Sequence, residues 1–322
     1  MIAKRVCAVW LAAALWASPA LSAGGAGGPE NAPTPSASAA PNLAPDLAFG
    51  AYQRGQYRVA LQAALDRLAA NSKDAAAMTL IGEIYRDGAA MRQDFAEASR
   101  WYKLASDLGD GQAAFQLGGM LLTGAPGVEK DRAQALAQFE LAAAAGNGAA
   151  LYNLGVVAAQ GDATVAPDFV KAADLFRRGA EAGDGEAAYS YGVLLKEGRG
   201  VPRDLAAAAR WLKLAADDGV LDAEVEFAIM LFNGTGVAPD EARAADYLYR
   251  AAGRRNPIAQ NRLAHLYVNG RGVPKDIARA AAWARFAKAA GLSDAGLDAE
   301  IGTLSAEDEA RVAALMRRYG AF

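Results

Sequence analysis

Cysteine and histidine are almost missing from this chain: 322 residues hold one of each, Cys7 and His265. Cys7 lies at the start of an apolar leader, so removing the leader leaves no cysteine and no disulfide, and stability must come from packing alone. One imidazole without cysteine partners is a poor start for a structural zinc site. No GxSxG elbow gives a serine nucleophile its setting. GRGVPRD and GTGVAPD hold glycines but lack the strand-turn-helix context and the Lys-Ser/Thr ending of a phosphate loop. Basic excess is also lacking. Lys plus Arg number 33 against 36 for Asp plus Glu, a balance of -3, which disfavours a nucleic-acid role.

Long apolar runs are scarce as well. Lys4 and Arg5 precede an apolar stretch from Val6 to Trp16, then Ser18, Pro19, Ala20, Ser22 and Ala23. This order predicts a secretory signal peptide over 1–23, with cleavage after Ala20, Ser22 or Ala23. The rival is an uncleaved anchor, for which the run falls short of a span of about 20 residues. Cleavage shifts the balance from 33 − 36 = −3 to 31 − 36 = −5, because Lys4 and Arg5 leave. Residues 24–46 are rich in Gly, Ala, Pro and Ser and read as a flexible linker.

What the chain does have is repetition. Gly82, Gly118, Gly155, Gly192, Ala228 and Ala264 recur at 36 or 37 residues. Asp94, Asp131, Asp168, Asp204, Asp240 and Asp276 keep step, as do Gly109, Gly146, Gly183, Gly219, Arg255 and Gly291. A period in this range predicts stacked helical hairpins. Six units fall at 75–110, 111–147, 148–184, 185–220, 221–256 and 257–292. A degenerate hairpin precedes them at 47–74, and a capping helix region follows at 293–322, opened by Ser305 and Asp308. Each Asp of the series is placed to cap a second helix, with Asp94 and Glu97 at capping-box spacing. One Asp per hairpin does not cluster as a calcium loop requires. The small residue at the centre of each first helix implies that another helix passes close by, since Gly there costs about 1 kcal/mol of helix propensity. Trp101, Leu175, Trp211, Tyr247 and Trp283 share one register and read as core fillers, interrupted by Gln138 with Phe139 beside it.

The segments AAYSYGVLLKEGRGVPRDLAAAARWLKLAADDG at 187–219 and AHLYVNGRGVPKDIARAAAWARFAKAAG at 264–291 resemble the Sel1-like repeat, a relative of the tetratricopeptide repeat. The resemblance implies an all-α fold, a right-handed α-solenoid of stacked antiparallel helix pairs. It implies adaptor work rather than catalysis, with no cofactor. Some secreted members linked to β-lactam chemistry carry paired cysteines, which this chain lacks. By analogy with tetratricopeptide arrays, partners would meet the first-helix surface, where Glu83, Arg86, Gln116, Asn153, Ser190, Lys196, Glu226, Arg262 and His265 vary in register. The expected function is that of a non-catalytic periplasmic or secreted adaptor or regulator, binding a protein or peptide such as an envelope sensor or assembly component. Contact with membrane would come only through that partner or an uncleaved leader. Two alternatives stand beside it: an assembly factor for envelope or exopolysaccharide machinery, and an enzyme acting on cell wall or β-lactams.

Overall fold

The computed structural model describes residues 46–161 and 165–320. The expected signal peptide, Cys7 and the linker up to residue 45 lie outside the described residues. The chain divides into two compact units, the first ending at Ala145 and the second starting at Gly146. Among the described residues all regular structure is helical. The first unit holds α1 (Leu47–Gln53), α2 (Tyr57–Ala70), α3 (Ala75–Asp87), α4 (Phe95–Asp107), α5 (Gly111–Thr123) and α6 (Arg132–Ala144). The second holds α7 (Gly148–Gln160), α8 (Phe169–Glu181), α9 (Gly185–Glu197), α10 (Leu205–Asp217), α11 (Leu221–Asn233), α12 (Glu241–Gly253), α13 (Pro257–Asn269), α14 (Ile277–Ala289), α15 (Ala295–Ile301) and α16 (Ala306–Tyr319). Within each unit, consecutive helices pack pairwise in the repeating manner of a solenoid.

Capping explains where the helices start. The carboxylates of Asp94, Asp131, Asp168, Asp204, Asp240 and Asp276 each accept the amide three residues on, at 2.8–3.0 Å. Each such cap is worth about 1 kcal/mol. First helices have their own series in Asp74, Asp110, Asn147, Asp184 and Asn256, which the sequence reading overlooked. The capping box at Asp94 is only half built. The Asp94 amide donates to the Tyr85 carbonyl at 3.0 Å, and Glu97 pairs with Arg100 instead. Ser305 caps α16 through the Asp308 amide at 3.0 Å. α15 was not foreseen; seven residues carry little periodicity, and its one signal is the cap Asp294.

The small-residue register is crowded by a side chain, more than by a helix backbone. A Cβ on Gly82 would lie 2.7 Å from the Tyr102 ring; at Gly118 and Gly155 it would meet Phe139 at 2.8 Å and Phe176 at 2.6 Å, and at Gly192 it would meet Leu212 at 2.8 Å. Tyr102, Phe139, Phe176, Leu212 and Leu248 are therefore the deepest core series. They stand one residue after the register chosen from sequence. In that earlier register Leu175, Tyr247 and Trp283 are buried, but Trp101 and Trp211 only half so. Gln138 breaks the pattern because it accepts from the Ser106 hydroxyl at 2.6 Å inside the core.

The turns after α9, α11 and α13 lean back on the preceding second helix. A Cβ on Gly200, Gly236 or Gly272 would strike the carbonyl oxygen of Phe169, Leu205 or Glu241 at 2.1–2.2 Å. All three glycines have φ near +70°, so both the conformation and the contact require glycine. In the first unit the longer turn after α5 closes on itself through Ala125 and Val128, paired at 2.8 and 3.1 Å.

Candidate functional site

The first helices of the repeats present one face away from their second helices, and the residues on it differ between the units. In the first unit α3 brings Glu83, Arg86 and Asp87 together at adjacent turns. Arg86 pairs with Glu83 and, at 2.9 Å, with Asp87. Tyr52 of α1 donates its hydroxyl to Asp87 at 2.7 Å. Burial raises the Glu83 carboxyl above its usual value against the pull of Arg86, with the Tyr102 hydroxyl and Gln116 side chain also beside it. Burial and then the Glu83 charge push the Tyr102 hydroxyl upward. That hydroxyl is fully enclosed next to Glu83, yet no acceptor meets it in good hydrogen-bond geometry. The cluster is a half-buried network of two carboxylates around one guanidinium, which brings α1, α3, α4 and α5 together.

In the second unit α7, α9 and α11 carry a different face. Tyr152 and Tyr189 share one register, Asn153, Ser190 and Glu226 the next, and Val156, Val193 and Ile229 a third; all are half-buried. Lys196 donates to Glu226 at 2.6 Å across α9 and α11. Near the start of these helices stand Glu186 and Asp222, with Asp218 from the end of α10. None of these three forms an ion pair with Lys or Arg among the described residues. Burial, then the charges of Asp184, Asp222 and Asp218, push Glu186 up to about 7. Burial, then Glu226, raises Asp222, and burial alone raises Asp218.

His265 and Arg262 extend this face onto α13 but behave differently. The His265 Nε2 lies 3.0 Å from Asp294 and its Nδ1 3.6 Å from Glu300, while Asn261 donates to the same Asp294 carboxylate at 3.1 Å. The Leu297 amide first, then His265 and Asn261, hold Asp294 well below the usual carboxylate range. His265 thus fastens α15 to α13. Arg262 is exposed.

The structure therefore joins Glu83 with Arg86, sets Gln116 near them, and joins Lys196 with Glu226. Asn153 and Ser190 stand on one face by register. Sequence reasoning missed Glu186, Asp218 and Asp222, although Glu186 and Asp222 share a position that is Ala76, Gln112, Ala149 and Ile258 in the other repeats. None of the candidate residues lines the shallow depression of about 240 Å³ formed by Arg92, Gln93, Asp94, Phe95 and Pro126. Among the described residues no three His, Cys, Asp or Glu side chains stand together as metal ligands would. No helix among them is long and apolar enough to cross a membrane.

The chain is similar to a protective antigen of uropathogenic Escherichia coli with an SLR fold, at 24% identity and TM-score 0.70, over 85% of this chain and 59% of that one. It thus spans less than two thirds of that protein's length. It is also similar to a Sel1 repeat protein from Oxalobacter formigenes, at 25% identity and TM-score 0.61, over 76% of this chain and 97% of that one. No curated protein matches the sequence. The Sel1 repeat profile matches residues 75–110, 111–147, 148–184, 185–220, 222–254 and 257–292. With more than half of its length matched, the chain belongs to the Sel1 repeat family.

Proposed function

We propose that this protein is a non-catalytic adaptor or regulator that binds a protein or peptide through the first-helix face of its second unit. Sel1 repeats form helical scaffolds that mediate protein–protein contact, which supports the general reading. The observation that carries the finer one is the half-buried series Tyr152, Tyr189, Val156, Val193 and Ile229 beside Asn153, Ser190 and Glu226. Apolar groups flanked by polar ones over three successive first helices suit an extended partner better than a small substrate held in a pocket. The basic-then-apolar order of residues 4–23 supports a place in the periplasm, alongside an envelope sensor or an assembly component.

The test alters Asn153, Ser190 and Lys196 together in the full-length exported protein, followed by in-cell crosslinking and identification of the captured partner. Retained helicity with loss of that specific partner is expected. Undiminished capture overturns the assignment of this face. Cell fractionation tests location, and recovery of the mature chain in the cytoplasm overturns the periplasmic reading.

A further inference from the structure

The Glu186 carboxylate at the head of α9 is not part of what the repeat needs. Asp184 already caps α9 through the Ala187 amide at 2.7 Å, so Glu186 is surplus to the cap. An acid in a first turn gains from the helix dipole when water surrounds it. Here Glu186 and Asp222 are half-buried, and Glu186 faces Asp222 and the exposed Asp218 as well, so like charges meet around a poorly solvated carboxyl. Lys196 at the far end of α9 is already engaged by Glu226 at 2.6 Å, and Arg262 of α13 stands exposed. One turn and two turns along the same helices stand the Tyr189 ring and the Val193 and Ile229 side chains. The face thus combines an uncompensated negative end with an apolar stripe.

Resting on the partner-binding reading above, we infer that this face takes a basic segment of a protein: Lys or Arg side chains at Glu186, Asp218 and Asp222, with an aliphatic side chain on Val193 and Ile229. Charge complementarity selects the occupant. An acidic segment would add to the repulsion, and a neutral one would leave the half-buried Glu186 and Asp222 unpaired beside the exposed Asp218. A cation placed among them removes the repulsion and gains charge-assisted hydrogen bonds at once. The upward shift of Glu186 adds a pH dependence. The groups around it are Asp184, Asp222, Asp218 and Tyr189, and its protonation below about pH 7 weakens the attraction.

The experiment uses the full mature chain and two fluorescent twelve-residue peptides, one alternating Lys with Leu and Ala, the other with Glu in place of Lys. Anisotropy at pH 8 is expected to show binding of the basic peptide only. Glu186→Gln with Asp222→Asn should weaken it about tenfold, and lowering the pH to 6 should weaken the wild type but not this variant. Glu129→Gln with Glu140→Gln removes the same charge from exposed positions of the first unit and should leave binding unchanged; equal weakening by this pair overturns the inference. Val193→Arg separates it from the reading it rests on. If the acidic peptide binds and Val193→Arg abolishes that binding, the face is a docking surface but the basic occupant is wrong. If neither peptide responds to Val193→Arg, both readings fail. Circular dichroism confirms that each variant is folded.

Discussion

One position of the repeat carries opposite chemistry in the two units. The residue after the central small residue is Glu83 in the first, enclosed with Arg86 and Tyr102 (Gly119 in the next repeat), and Val156, Val193 and Ile229 in the second, before His265 ends the series. The backbone places all of them alike, because the neighbouring Gly82, Gly155 and Gly192 each admit a side chain from the second helix. The repeat fixes where a side chain stands, and the residue type decides whether that place becomes an internal clasp or an open face. Glu83 is spent on its own unit. The valines and the isoleucine are left on an open face.

The turns offer the most forceful way to break the likeness between the units. Gly200→Ala puts a Cβ 2.1 Å from the Phe169 carbonyl at φ +71°, and should cost about 3 kcal/mol or more in urea unfolding. Gly127→Ala in the first unit meets only the Ala96 methyl, at 3.0 Å, and should cost nearer 1 kcal/mol. Equal losses would mean that the two kinds of turn are mechanically the same.

Glu83 is next. Glu83→Ala strips Arg86 of one of its two carboxylate partners and should destabilise by about 2 kcal/mol, since the guanidinium stays half-buried. Val193→Ala, at the matching position of an open face, should cost about 1 kcal/mol. A reversed order, read from denaturant midpoints, would show that the clasp contributes little.

The smallest effect concerns Glu186. Its folded value is raised from 4.5 to about 7. Between those values the folded chain holds a proton that the unfolded chain releases, so stability falls as pH rises through that window and is flat above it. After allowance for solvent screening the loss is on the order of 1 kcal/mol. Glu186→Gln should remove that loss and leave the variant more stable than wild type at pH 8. An unchanged slope between pH 4.5 and 8 would mean that the carboxyl is well solvated.

Much of the fold was legible because capping and crowding are local. The six aspartates read as caps are caps in the structure, each bonded three residues on. The glycines implied a close approach, although the intruder proved to be the side chain of Tyr102, Phe139, Phe176 or Leu212. A one-residue choice on a helix turns a side chain by about 100°, and apolar residues at both 101 and 102 or 211 and 212 gave no basis for preferring one. The candidate site was less legible. Register alone put His265 on one face with Ser190, but its tie to Asp294 and Glu300 depends on α15, a helix too short to announce itself. Glu186 and Asp222 passed unnoticed because single acids near helix starts are ordinary; their meaning comes from burial and from Asp218, which only packing supplies.

The backward lean of the turns gives the second unit a direction. The turn holding Gly200 rests on Phe169, that of Gly236 on Leu205, and that of Gly272 on Glu241, so each of these three hairpins borrows a surface from the one before it. Deleting hairpins from the C-terminal side takes away borrowers and leaves every remaining turn seated. Deleting from the other side removes the seat and strands the first surviving turn. The array is thus built to be shortened or extended from one end, and new hairpins added during its history would find a ready-made footing only there.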